Sequence, residues 1–122
     1  MQWHEYEQLA VRTKSDRFDI GNVSPDILHG VLGAATESAE MADNVKRAIF
    51  YGKKLDLINL REELGDLCWY IAIVCAETGF NFGEILERNI DKLRQRYPEK
   101  FSTAKALNRD LDAERAVLEG GK

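Results

Sequence analysis

The chain has 122 residues, 44% hydrophobic and 31% charged, with a formal net charge of −4 and a pI near 5.2. That length suits a single domain able to bury a core, and the acidic balance argues against nucleic acid as the main partner, because phosphate backbones are bound through basic stripes. No apolar run approaches the roughly 20 residues needed to cross a bilayer, and Met1 to Asp16 mixes charges with aromatics unlike a secretory signal, so a cytoplasmic protein with no membrane partner is expected.

In chain order, Trp3, Tyr6, Leu9, Ala10 and Thr13 recur at helical spacing and predict a helix from Trp3 to about Lys14, followed by a loop over Asp16–Ser24. Ser24-Pro25-Asp26 is a helix start: a capping hydroxyl, a proline at the first position and an acid in the first turn. From there Leu28, Val31, Leu32, Ala35, Ala39, Ala42, Val45 and Ile49 recur at threes and fours until Gly52, the expected stop. Asp56 can cap a second long helix, whose stripe of Leu57, Leu60, Leu64, Leu67, Ile71, Val74 and Cys75 ends near Gly79. Asn81 with Glu84 three residues on resembles a capping box opening a third helix, with Ile85, Leu86, Ile90 and Leu93 on its apolar face, up to Pro98. The tail from Thr103 to Glu119 predicts a charged helix packed outside or on a partner chain, with Gly120 to Lys122 frayed. Period-two alternation persists nowhere, so the fold is read as all-α.

Two acidic spacings stand out within these helices, Glu37-x-x-Glu40 and Glu63-x-x-Asp66. Residues three apart project from one helix face, so each pair sets two carboxylates side by side on a surface that should partly meet another helix. Like charges held close raise one another's pKa unless a cation neutralises them. Acidic pairs on helices are usually solvated, but Glu37 and Glu40 lie among Ala34, Ala35, Ser38, Ala39 and Ala42, and Asp66 follows Gly65, so a helix or ligand can approach closely. Oxygen ligands without cysteine or histidine point to hard cations, Mg²⁺ or Mn²⁺. On the third helix Asn89, Lys92 and Arg96 form a polar stripe suited to sugar and phosphate oxygens. Cys68 and Cys75 are about two turns apart on one apolar face and cannot reach each other for a disulfide; they read as small hydrophobes.

The order Glu37-x-x-Glu40, Glu63-x-x-Asp66, Asn89-x-x-Lys92 and Arg96-Tyr97-Pro98 resembles the MazG-type, all-α nucleoside triphosphate pyrophosphohydrolases. Ala48-Ile49-Phe50-Tyr51-Gly52-Lys53 and Glu62-Glu63-Leu64-Gly65-Asp66-Leu67-Cys68-Trp69-Tyr70 extend the likeness over most of residues 2–101. The resemblance implies a four- to five-helix bundle whose core is completed by homo-oligomerisation, as a homodimer or homotetramer, with a core of about 2–101 and a helical tail over 102–122. It implies cleavage of an NTP or dNTP between the α and β phosphates to a monophosphate and pyrophosphate, with Mg²⁺ held by the catalytic acids Glu37, Glu40, Glu63 and Asp66, and Mn²⁺ as a substitute. Spacing alone leaves Glu62 and Glu63 open as the partner of Asp66; the family pattern selects Glu63. By the same resemblance Tyr70 and Asn89 contact the nucleoside, and Lys53, Lys92 and Arg96 the phosphates, with Lys54 a weaker candidate. Thr36 and Ser38 stand where many relatives have glycine and alanine. Trp69 reads as core or subunit interface rather than a base-stacking residue.

A ferritin-like di-metal oxidase would need Glu-x-x-His motifs, and neither His4 nor His29 follows a glutamate at that spacing. Asp26-x-x-His29 is the nearest approach, and His29 reads as a helix-surface residue. The other alternative is a non-catalytic helical interaction module with solvated acids. The spacing does not decide which carboxylate takes a proton from water.

Overall fold

The computed structural model describes residues 1–120; the fraying expected at the C-terminus includes residues 121 and 122, which lie outside the described residues. Among the described residues all regular structure is helical: α1 (Trp3–Val11), α2 (Pro25–Phe50), α3 (Leu57–Thr78), α4 (Phe82–Arg96), α5 (Thr103–Leu107) and α6 (Leu111–Leu118), with a 3₁₀ turn at Ile20–Asn22 inside the expected loop.

The capping side chains account for the starts. Ser24 accepts a hydrogen bond from the Ile27 N–H at 3.2 Å, Asp56 from those of Ile58 and Asn59 at 3.1 and 3.0 Å, and Asn81 from that of Glu84 at 3.3 Å. Each such cap is worth about 1 kcal/mol. Gly79 closes α3 at φ 72°, a conformation glycine adopts without strain, and the Phe80 N–H returns to the Cys75 carbonyl at 3.1 Å.

Two boundaries differ from expectation. α1 ends at Val11 rather than near Lys14, because the Thr13 and Lys14 N–H groups bond three residues back, to Ala10 and Val11, and the Thr13 hydroxyl also donates to Ala10. The tail is not one helix. It breaks at Asn108, whose side chain donates to the Ala104 carbonyl at 2.8 Å, and restarts at Asp110, which accepts from the Ala113 N–H at 3.0 Å. These local bonds offer the backbone an alternative to continued helix, and α6 then folds back on α4 of its own chain.

The helices pair as α2 with α3 and α4 with α6. α2 and α3 run antiparallel and meet closely at two buried glycines of α2. A Cβ on Gly30 would stand 2.5 Å from Val74 Cγ2, and one on Gly33 only 2.0 Å from the Tyr70 ring. Away from this seam the apolar stripes stay in the open: among the described residues no hydrophobic side chain is buried, and Val31, Leu32 and Leu64 are at least half exposed. Trp69, read as core or interface, is 56% exposed in the single chain, and Cys68 is also exposed. The accessible surface is 10221 Å², whereas a compact monomer of 13.9 kDa exposes about 6,700 Å² by the usual surface scaling. Among the described residues no helix is long and apolar enough to cross a membrane.

Gly33→Ala drives a methyl into the Tyr70 ring and should lower stability by about 1–2 kcal/mol, overpacking outweighing the better helix propensity. Gly65→Ala, where a Cβ meets nothing within 4 Å, should be neutral or stabilising by up to about 1 kcal/mol. Urea denaturation of the two variants beside the parent checks the pair.

Candidate active site

The antiparallel seam stacks residues in layers, the first two about one helical turn apart and the third about two turns farther on. Gly33 lies under Tyr70, Glu37 meets Glu63 and Asp66, and Asn44 meets Asn59. One carboxylate oxygen from each of Glu37, Glu63 and Asp66 lies within 4.8 Å of the others. Glu40 stands outside this tightest group but is held against Glu63, whose charge is the first cause of its raised pKa, ahead of desolvation. Glu37 is pushed up to about 7, chiefly by its hydrogen bond with Glu63, then by desolvation and by the charges of Glu40, Glu63 and Asp66. Glu63 is buried, with 4% of its surface exposed, whereas Glu62 faces solvent. Among the described residues no lysine or arginine forms an ion pair with any of the four acids.

Glu63 is supported from the opposite side by amides. Asn59 Nδ2 donates to Glu63 Oε1 at 2.7 Å, and Asn44 Nδ2 donates to Asn59 Oδ1 at 3.2 Å. Asn44 also grips the start of α3, accepting from the Asp56 N–H at 3.1 Å and donating to the Asp56 carbonyl at 2.8 Å. Beside this layer an open cavity of about 570 Å³ is lined by Glu40, Glu63, both asparagines, Asp43, Asp56 and three cations, Arg47, Lys53 and Lys54. Asp43 takes up Arg47 at 2.8 Å. On the other side of the acids Tyr70 packs edge-to-face with Trp69 and His29, at centroid distances of 4.9 and 5.5 Å. His29 itself is exposed.

Of the residues singled out from sequence, the α2–α3 pair thus gathers Glu37, Glu40, Glu63, Asp66, Lys53 and Tyr70 along one seam. Asn89, Lys92 and Arg96 sit on α4, in the other helix pair. Arg96 is engaged there through one edge of its guanidinium: its Nε and Nη2 donate to the two oxygens of Glu114 at 2.8 and 2.7 Å, and Arg109 donates to the same carboxylate. The bonds from Arg96 and then Arg109 hold Glu114 well below the usual carboxylate range, and Glu114 in turn raises the Arg96 pKa further. Sequence reasoning missed Asn44, Asn59, Arg47 and Glu114. Asn44 carried little signal, lying in the largely polar stretch Asp43 to Arg47, whereas Asn59 lies one turn before Glu63. Glu114 carried none, since its partners are 18 and 5 residues away in sequence.

Glu63 and Glu114 are equally buried, at 4% and 3% exposure, yet their settings are opposite. Glu114 is neutralised by two guanidinium groups; Glu63 faces other acids, and Glu37 beside it is pushed up to about 7. A divalent cation would supply the missing positive charge, and an all-oxygen donor set on rigid helices suits Mg²⁺ or Mn²⁺. The fold and this site define an all-α protein with a cluster of carboxylates on its α2–α3 seam. The chain matches the family model described as the MazG nucleotide pyrophosphohydrolase domain over residues 26–101, more than half of its length, and belongs to that family. Comparison with curated proteins and with solved structures gave no match.

The Glu114 clamp generates a stability dependence of definite sign. A carboxylate with a depressed folded-state pKa stabilises the fold above its ordinary value of 4.5 and loses that contribution as pH falls toward the depressed value. Amide hydrogen exchange over α6 should therefore quicken, after correction for intrinsic rates, as pH drops below about 4.5, and Glu114→Gln should show faster exchange in α6 already at pH 7.

Proposed function

We propose that the protein is a Mg²⁺-dependent nucleoside triphosphate pyrophosphohydrolase, cleaving an NTP or dNTP between the α and β phosphates. The observation that carries this reading is the convergence of Glu37, Glu63 and Asp66, with Glu40 against them, on a MazG domain, with no cation paired to them among the described residues. These four acids would hold the metal. Mg²⁺, when bound, offsets the negative charge that develops on the phosphate oxygens.

The chain's own residues supply the remainder. Lys53, which lines the cavity with Lys54 and Arg47, would meet the departing phosphates, while Tyr70, one turn beyond Asp66, would pack against the nucleoside. A water oxygen attacks the α-phosphorus as the bond to the bridging oxygen breaks, pyrophosphate leaves with the bonding electrons, and a carboxylate of the cluster accepts the water proton. Asn89 and Lys92, carried on α4, would join the pocket when copies of the chain associate. Arg96 is assigned to the α4–α6 clamp, because its Nε and Nη2 both donate to Glu114.

Association is supported by surface area. The chain exposes about 3,500 Å² more than a compact monomer of its mass, on the scale that obligate interfaces bury. A homodimer or homotetramer in the cytoplasm is the proposed working form.

Incubation of a panel of ribo- and deoxyribonucleoside triphosphates with Mg²⁺ should release monophosphate and pyrophosphate, not diphosphate and phosphate, and EDTA should abolish it. Glu40→Gln and Asp66→Asn should each reduce kcat/KM by at least about 100-fold, a loss of about 2.7 kcal/mol in transition-state stabilisation. Intact turnover in either variant would sink the assignment of that acid; absence of both turnover and metal uptake would favour the non-catalytic module. Light scattering at micromolar concentration should give a mass of twice or four times 13.9 kDa; a monomer would contradict the association.

A further inference from the structure

A buried carboxylate must find hydrogen-bond donors for the oxygens it withdraws from water. Glu63 finds one in Asn59, but an asparagine amide has two faces, an NH₂ that donates and a carbonyl that accepts, and only the first serves a carboxylate. The choice is made two residues away. The Asp56 backbone N–H can only donate, so it fixes the Asn44 carbonyl toward itself at 3.1 Å. The Asn44 NH₂ must then point the other way, where it reaches both the Asp56 carbonyl and Asn59 Oδ1, at 2.8 and 3.2 Å. With its Oδ1 occupied, Asn59 turns its NH₂ on Glu63. Donation thus runs in one direction from a helix-start amide through two side chains to the carboxylate.

We infer that Asn59, oriented by Asn44, is a positioning residue that fixes the rotation of the Glu63 carboxylate and so sets the site's selectivity for a small, strictly octahedral cation. Holding Oε1 at 2.7 Å holds the plane of the carboxylate and hence the direction of its second oxygen. The helix start itself does not need this link: Asp56 already caps Ile58 and Asn59, and Asn44 already grips Asp56 by two bonds. The link to Glu63 is the surplus element, and its geometry serves the acid cluster. Mg²⁺ demands near-ideal octahedral geometry at short distances, so a freely rotating ligand penalises it more than it penalises a more tolerant ion. Groups that orient metal ligands typically contribute 10–100-fold in metal affinity.

This inference rests on the reading of Glu63 as a metal ligand, and the test separates the two. Mg²⁺ and Mn²⁺ chlorides are titrated calorimetrically into the full chain without nucleotide, for the parent, Asn59→Leu and Asn59→Asp. Leucine is close to asparagine in shape and removes the donor. Aspartate keeps an acceptor for Asn44 but offers Glu63 no hydrogen, and being nearly isosteric it decides the matter should the leucine variant fail to fold by circular dichroism. The expected result is a Mg²⁺ Kd weakened about 10–100-fold in Asn59→Leu, and in both variants a rise of roughly threefold or more in the ratio of the Mg²⁺ to the Mn²⁺ Kd, reflecting the stricter geometry of Mg²⁺. A merely structural Asn59 would lower thermal stability and leave that ratio alone; an unchanged ratio in the folded variants overturns the inference while the metal site stands. A parent chain that binds neither ion overturns the metal reading and the positioning role with it.

Discussion

The close approach of α2 to α3 is the constraint on which the rest of the structure depends. Gly30 and Gly33 remove the side chains that would otherwise hold the helices apart, and Val74 and Tyr70 occupy the space released. Once the antiparallel register is set there, the residues that face one another farther along follow from helix geometry. Positions 37 and 66 fall opposite, one turn beyond positions 33 and 70, and the amide layer of Asn44 and Asn59 falls about two turns beyond that. A bulkier residue at Gly33 would not touch the carboxylates, yet it would disturb the seam that brings them together.

The two buried glutamates show how one residue type is used in two ways. Glu114 ties α6 to α4 through paired, bidentate guanidinium contacts, which neutralise it and satisfy its oxygens at once. Burial of a charge is tolerable under those conditions. Glu63 has amide support on one side only, and its other neighbours are acids, so the like-charge repulsion is expressed as a raised pKa on Glu37 and Glu40. That asymmetry, a buried carboxylate among acids rather than guanidinium groups, is the physical basis for the proposed metal role.

The exposed apolar stripes belong to the same picture. α1 carries Trp3, Tyr6 and Leu9 in the open, and the stripes on α2, α3 and α4 are likewise uncovered. Stabilisation scales with the apolar area removed from water, and among the described residues no hydrophobic side chain of the single chain is fully buried. The proposed association would supply that burial and bring α4, with Asn89 and Lys92, toward an acidic seam.

Helix content and most helix starts were legible in the sequence alone, because caps such as Ser24, Asp56 and Asn81 and the threes-and-fours spacing are local signals read within a single turn. The acidic pairs were legible for the same reason, as was the family likeness in their order. What tertiary structure alone decided is everything that depends on which helix faces which. It turned Glu63 inward and Glu62 outward, recruited Asn44 and Asn59 from separate helices to one carboxylate, and committed Arg96 to Glu114 across 18 residues. Sequence spacing measures distance along one helix; the energies of these contacts depend on distances between helices, which the glycine seam and the fold-back of α6 establish.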